Sequence, residues 1–365
     1  MSQQALVLSE LGTPLILRSR PIPRPKENQI LLKIIAVGLN PHDQKIRDHG
    51  LIINPDYLPY ITANDLAGVV EDVGPGVTAF KAGDRVFAQS RQTHTNEPDE
   101  GGLQQYALVP ADLAAPVPPS LSLDDAATLP TAAMAAFVAL FDPEGLGLPA
   151  PYDDPEKRKS FDYGQRSLLV IGGGSNCGRL AIQFARLAGF GTIVALAGKA
   201  APEKEAELKA LGATHVVDRN ASDAAEQCRA IAGGDGFLYA LDTVNFGPKA
   251  HTLSVSLLSG REKGTLATLL PPSGGVDESA VPEGTRAVGY DIRFSRGSGY
   301  LHRELGQQFW RHFPAWLEAG EVRPLRYRVI SGLDEKAVNE TLDAYRNGGS
   351  ITKTNVHPHE STASS

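Results

Sequence analysis

Residues 167–189 read SLLVIGGGSNCGRLAIQFARLAG, and this stretch decides the fold. A short apolar run has the length of a buried strand. It leads into a cluster of glycines and then into an apolar-faced helix. That order of strand, glycine turn and helix is the context a dinucleotide fingerprint requires. The turn is tight, the backbone comes close to the ligand, and a helix N-terminus is aimed at a pyrophosphate. Gly172, Gly173, Gly174 and Gly178 supply the turn. Read from Gly173, the G-x-G-x-x-G spacing is missed by one residue: Ser175 stands where the second glycine would be, followed by Asn176 and Cys177. A nucleotide site outweighs a purely structural strand-turn-helix because the neighbouring sequence agrees with it.

The next strand, TIVALAG at 192–198, ends at Gly198 without the Asp or Glu that would bind an adenosine 2′-hydroxyl. Lys199 and Lys204 follow instead. Ammonium groups there suit a 2′-phosphate, so NADPH is expected over NADH. The plainer reading of Lys204, with Lys209, is the solvated face of the helix KEAELK.

Working outward, residues 131 to about 294 alternate strand and helix: TIVALA, PEKEAELKALG, THVVD, GFLYALDTV. This alternation predicts a parallel sheet with crossover helices. Residues 4–130 carry strand-length apolar runs punctuated by Pro, Gly and Asp, and read as mostly β. Residues 142–165, rich in Pro, Gly and charge, read as an exposed connecting loop. The chain closes with a helix at 302–320, a strand at 325–331, a helix at 335–348 and a polar tail from 360. The expected division is a first domain at 1–130 completed by 298–365, and a second at 131–297.

A length of 365 residues suits two domains. With 42% hydrophobic and 21% charged residues and no apolar run near the ~18 residues of a membrane span, no membrane partner is expected. A net charge of −7 offers no surplus of cations for nucleic acid. Cys177 and Cys228 are too few for a disulfide framework, and the N-terminus has no basic region leading into an apolar one, so a cytoplasmic location is expected.

Four further stretches carry a family resemblance. AGVVEDVGPGVTAFKAGDRV at 67–86 is similar to the G-x-V-x-x-V-G…G-D-R-V signature of medium-chain dehydrogenases/reductases. GLNPHDQKIRDHG at 38–50 resembles the Asn-Pro-x-Asp segment of their quinone- and enoyl-reductase branch, and 124–140 and 207–218 match the same family. The segment at 146–151, the glycine turn itself and the ending DAYRNGGSITK resemble the fungal subgroup that includes trans-acting enoyl reductases. The resemblance implies an α/β protein, with a GroES-like mostly-β catalytic domain and a Rossmann domain that is a doubly wound parallel sheet binding NADPH. It places Asn40 and Asp43 on the nicotinamide side and assigns Gly198, Thr243, Val244, Leu269 and Lys353 to the cofactor. A Tyr in the loop after the Asn-Pro segment would donate a proton, and here Tyr57 and Tyr60 both stand in that loop, with packing against Pro55 or Pro59 the plainer reading of each.

The same resemblance bears on zinc. Relatives that oxidise alcohols hold the metal through Cys, His with an adjacent Glu, and Cys or Asp. Here the matching positions carry Pro41 or His42, Asn64 with Asp65, and Thr131, a poor set for a soft tetrahedral ion. The four-cysteine structural zinc lobe is replaced by SRQTHTNEPDEGG at 90–102, and no metal is expected. Without a Lewis acid, the easier hydride acceptor is a conjugated alkene or quinone. The expected substrate is a small molecule with an activated C=C, including a carrier-bound enoyl thioester. The alternative is a non-catalytic NADPH-binding protein of the same fold. The final Rossmann strand, expected within AVGYDIRFS at 287–295 with Val288, Tyr290, Ile292 and Phe294 on one face, favours a homodimer over a monomer.

Overall fold

A computed structural model describes residues 1–198, 202–245, 247–271, 275–347 and 352–360. The chain divides into two compact units. The first comprises Met1–Thr131, Gly306–Gly320 and Pro324–Ser365, and the second Ala132–Leu305 and Glu321–Arg323. Residues 298–305 thus cluster with the second unit and correct the boundary expected from sequence. The reason is local: His302 Nδ1 sits 3.0 Å from Asp142 Oδ2, inside that unit.

The first unit begins with β1 (Ser2–Val7), β2 (Ile16–Pro21), β3 (Gln29–Leu39), α1 (Pro41–His49), β4 (Asp65–Val73), β5 (Arg85–Gln89), the single turn α2 (Gln92–Thr95), β6 (Tyr106–Pro110), β7 (Ala114–Pro116) and α3 (Leu123–Ala127). Helix α4 (Pro130–Phe141) leads out of it. The second unit holds α5 (Pro155–Phe161), β8 (Ser167–Ile171), α6 (Asn176–Ala188), β9 (Thr192–Ala197), α7 (Pro202–Leu211), β10 (His215–Asp218), α8 (Ala224–Ile231), β11 (Tyr239–Asp242), α9 (Thr252–Ser256), β12 (Gly264–Thr268), α10 (Glu283–Val288) and β13 (Tyr290–Phe294). Helix α11 (Arg303–Glu318) leads back, and β14 (Tyr327–Ser331), α12 (Glu335–Arg346) and β15 (Lys353–His357) complete the first unit.

In the first unit the main sheet runs β14-β15-β3-β4-β5-β7, with β6 also pairing β3. Strand β3 is the hub, and two register shifts against β4, at Leu31/Leu32 and Ile34/Ala36, bend it. Alternating apolar residues bury Ile30, Leu32, Ile34, Val37 and Leu39 in a core shared with Leu66, Val70, Val86 and Val356. The strand made last, β15, sits inside this sheet rather than at its edge.

The segment at 90–102 is clasped by one buried carboxylate. Glu100 accepts hydrogen bonds from Arg91 Nη2 at 2.6 Å, Arg91 Nε at 2.8 Å and Thr95 Oγ1 at 2.8 Å. Gln29 Nε2 adds a longer one at 3.4 Å. An enclosed, multiply bonded ion pair organises this lobe.

The second unit is a six-stranded sheet in the order β10-β9-β8-β11-β12-β13, with every pairing parallel. This is the Rossmann strand order. Residues 142–165 are not simply an exposed loop: Leu146, Leu148, Ala150 and Tyr163 are buried, and Asp154 caps α5 by accepting from Glu156 N at 2.8 Å. Apolar side chains spaced among the prolines anchor the segment. The edge strand starts later than the sequence suggested, because Val288 ends helix α10 and the chain turns at Gly289 before β13 begins.

Candidate functional site

The glycine turn of the second unit joins β8 to α6. A side chain at Gly178 would place its Cβ 2.2 Å from Gly172 O and 2.8 Å from Gly173 Cα, so only glycine lets the helix approach the turn. Ser175, which broke the fingerprint, has two tasks. Its Oγ accepts from Gly178 N at 3.0 Å, capping α6, and lies 2.9 Å from Thr243 Oγ1. Thr243 Oγ1 in turn lies 3.0 Å from Ile171 O, to which it donates. The serine therefore ties the turn to the loop after β11.

That loop is held by Asp242, which is buried and accepts from Val244 N (3.1 Å), Asn245 N (3.0 Å), Asn245 Nδ2 (2.7 Å) and Ser254 Oγ (2.8 Å). His251 Nδ1 lies 3.3 Å from the same carboxylate. Burial works to raise the pKa of Asp242, but the hydrogen bonds from His251, Asn245, Ser254 and Val244 outweigh it and hold the carboxyl below its ordinary value. Leu269 N donates to Asp242 O at 3.1 Å, which fixes the loop after β12 beside it.

Gly172, Gly173, Gly174, Ser175, Asn176, Cys177, Gly178, Gly198, Thr243, Val244 and Leu269 all fall just after β8, β9, β11 or β12, on the carboxyl edge of the parallel sheet. This is the edge at which such sheets bind ligands. Lys204 is exposed on α7, and Lys199 lies outside the described residues. Sequence reasoning missed Arg219. Its backbone N donates to Ala197 O at 2.7 Å, and a Cβ at Gly198 would stand 3.7 Å from its Nε. A guanidinium thus stands at the end of β9; the basic residue directly after THVVD was the available signal.

A nucleotide fits this turn on an observation independent of the motif. Asn176 Nδ2, in the first turn of α6, is buried and has no hydrogen-bond partner. An orphaned donor beside a helix N-terminus is what a phosphate or ribose oxygen would satisfy.

The first unit gathers a different set. Lys353 on β15 is fully buried; its Nζ donates to Asn40 Oδ1 at 2.8 Å and pairs with the equally buried Asp65 carboxylate. Asp65 also accepts from Asn40 Nδ2 at 2.8 Å and Thr131 N at 2.6 Å. Asp43 accepts from Asn40 N at 2.7 Å, Thr62 Oγ1 at 2.6 Å and Ala63 N at 3.0 Å. Asn40, Asp43 and Lys353 therefore direct their polar atoms into the unit's own interior.

Tyr57 is 55% exposed, whereas Tyr60 is fully buried in the core with its hydroxyl unpartnered. Burial, and then the Asp43 carboxylate, push the Tyr60 phenol far above its ordinary range, so the hydroxyl keeps its proton. His42 Nε2 stands 3.3 Å from Asp43 Oδ1. The donor set does not suit zinc: among the described residues no three His, Cys, Asp or Glu side chains gather as a metal requires. His357 and His359 are both engaged. His357 bridges Asp124 at 2.9 Å and Glu360 at 2.8 Å, and His359 Nε2 meets Gln105 O at 2.9 Å.

A glycine turn at the carboxyl edge of a Rossmann sheet, in a chain whose other unit is mostly β, defines a two-unit dinucleotide-binding protein. Residues 26–119 match the alcohol dehydrogenase GroES-like domain, and residues 177–277 match the zinc-binding dehydrogenase domain. The dehydrogenase orsE of Emericella nidulans is 30% identical, the match covering 96% of this chain and 98% of that protein. The trans-enoyl reductase himH of Aspergillus japonicus is 32% identical over 89% of this chain and 88% of its own length. Among solved structures, the CurK enoyl reductase has the same fold, with a TM-score of 0.74 at 20% identity, covering 98% of this chain and 99% of its own. The chain belongs to the medium-chain dehydrogenase/reductase family, in its enoyl reductase and quinone oxidoreductase branch. It is an oxidoreductase of a family that binds a nicotinamide dinucleotide.

Proposed function

We propose that the protein is an NADPH-dependent reductase of activated carbon–carbon double bonds, acting without catalytic zinc on α,β-unsaturated carbonyl compounds or quinones, a carrier-bound enoyl thioester included. The observation that carries this reading is the pairing of a dinucleotide turn with a first unit whose candidate ligand positions hold Pro41, His42, Asn64 and Thr131. These residues leave no soft donor set to polarise an alcohol. Similarity to himH, a trans-enoyl reductase by name, supports the same chemistry.

Bound NADPH would supply a hydride to the carbon β to the carbonyl. The chain's own residues do the rest. Gly172–Gly174 and Gly178 admit the pyrophosphate, Asn176 Nδ2 meets a phosphate or ribose oxygen, and Thr243, Val244 and Leu269 hold their positions through Asp242. Arg219, with Lys204, favours the 2′-phosphate of NADPH, since an ammonium or guanidinium pairs with a charge that NADH lacks. Asn40, Asp43 and Lys353 act as positioning residues. Tyr60 is buried and its raised pKa makes it a poor acid, so water is the proton source for the α carbon.

The test is NADPH consumption by purified protein against enones, quinones and enoyl thioesters, with and without a chelator. Turnover of at least one class that survives chelation is expected. Activity that dies with chelator and returns with zinc overturns the metal-free reading. Tight NADPH binding without turnover of any class points to the non-catalytic alternative.

A further inference from the structure

One glutamine in the helix that follows the glycine turn is bonded to a distant part of the chain. Gln183 on α6 is 1% exposed, among the fully buried Leu180, Ile182 and Phe184. Its Oε1 accepts from Arg323 N at 2.7 Å and its Nε2 donates to Arg323 O at 3.3 Å, so both ends of the amide grip the backbone of one residue. Arg186, one turn along the same face, donates through Nη2 to Glu321 O. A buried amide bonded at both ends fixes where the gripped residue lies and which way its backbone runs.

The gripped segment is short. Residues 321–323 cluster with the second unit, yet Gly306–Gly320 before them and the chain from Pro324 onward belong to the first. Side chains of α6 hold this brief visit in place. Two residues on, Leu325 N donates to Thr128 Oγ1 at 3.1 Å, and β14 begins at Tyr327. In the parallel register Tyr327 pairs with Lys353, whose ammonium bonds to Asn40 and Asp65. An unbroken run of peptide bonds and hydrogen bonds therefore joins the helix that starts at the glycine turn to the buried cluster of the first unit.

We propose that Gln183 is a positioning residue that transmits dinucleotide binding at the glycine turn to β14 and through it to Lys353. The proposal rests on the reading that this turn receives the dinucleotide. Gln183 stands seven residues beyond Asn176, about 10 Å along the helix, too far for its amide to meet a phosphate at the turn. A ligand that orders α6 orders whatever α6 grips, and a second ligand on the first unit then binds at a lower ordering cost. The two-ended grip supplies the rigidity that such coupling requires.

Hydrogen exchange of the amides at 325–331 in the full chain, with and without NADPH or NADH, tests this, because none of those residues is expected to touch the dinucleotide. Saturating dinucleotide should slow exchange there about 5-fold or more in the wild type. In Gln183→Met, which keeps the bulk and loses both bonds, the dinucleotide Kd should stay within about threefold while the slowing falls below about twofold. Arg186→Met removes only the bond to Glu321, should lose part of the slowing, and decides the matter if Gln183→Met does not fold. With a turned-over enone, kcat should fall about 5-fold in Gln183→Met while KM stays within about twofold. A merely structural role would speed exchange with and without dinucleotide alike and leave the ratio unchanged. That result overturns the proposal, as does a wild type whose 325–331 amides ignore a bound dinucleotide, or full slowing retained in both variants. If neither dinucleotide binds, the glycine-turn reading falls and the proposal with it. If one binds and no alkene is reduced, the reductase reading alone fails, and the exchange ratio still decides.

Discussion

The glycine turn of the second unit and the buried charge cluster of the first solve the same problem by opposite means. Both must fix polar groups in a dry setting. The turn does it with short contacts inside one stretch, 171–178, plus a loop some 70 residues on, and it uses neutral hydroxyls and backbone. The cluster does it with full charges gathered from 38–43, 62–65, 131 and 353, brought together only when the sheet closes. The first arrangement draws on one stretch and one distant loop, and the second has no partial version. A missing member leaves a bare charge in a low-dielectric interior.

The comparison breaks most sharply at Lys353. Lys353→Met strands Asp65 and should cost about 3–5 kcal/mol of stability by denaturant titration. Adding Asp65→Asn should recover much of that. An unperturbed midpoint in the single variant would mean that the cluster is solvated after all. Next in size, Gly178→Val forces a Cβ against Gly172 O and should weaken NADPH binding at least 100-fold, about 3 kcal/mol, with the first unit untouched. Binding retained by fluorescence titration would put the cofactor elsewhere.

A smaller effect sharpens the turn's chemistry. Arg219→Ala with Lys204→Ala should weaken NADPH by roughly 1–3 kcal/mol and leave NADH alone. Equal losses for the two cofactors would remove these residues from 2′-phosphate recognition.

The smallest effect concerns His357. Burial disfavours its charged form, but the hydrogen bonds to Asp124 and Glu360 outweigh this and raise its pKa. A raised folded-state pKa stabilises the protein fully below the unfolded value of about 6.5 and loses that contribution as pH rises through the folded value. Wild type should therefore exceed His357→Gln in melting temperature most at acidic pH, with the gap closing toward alkaline pH. A gap that widens with pH would reverse the assignment.

Legibility follows the same line. Strand, glycine turn and helix were readable because their residues are contiguous and their periods differ, and the parallel sheet followed from the alternation, its Rossmann character from the family resemblance. Ser175 was visible only as a defect, since its partner Thr243 lies on another strand. Arg219 was marked only by its place directly after THVVD, and the register of β10 against β9 is what sets it at the end of β9. Val288 read as strand because alternation continues through it, while the turn at Gly289 that makes it a helix end was overlooked.

One consequence of β15 lying within its sheet concerns time rather than energy. Synthesis proceeds from the N-terminus at about 5–20 residues per second, so Lys353 follows Asp65 by roughly 15–60 s. During that interval the Val37–Leu39 end of β3 lacks the strand that will pair with it, and Asp65 lacks the Lys353 ammonium. The second unit, nearly all of it one uninterrupted stretch, has meanwhile been made in full. The unit begun first on the ribosome is the one finished last.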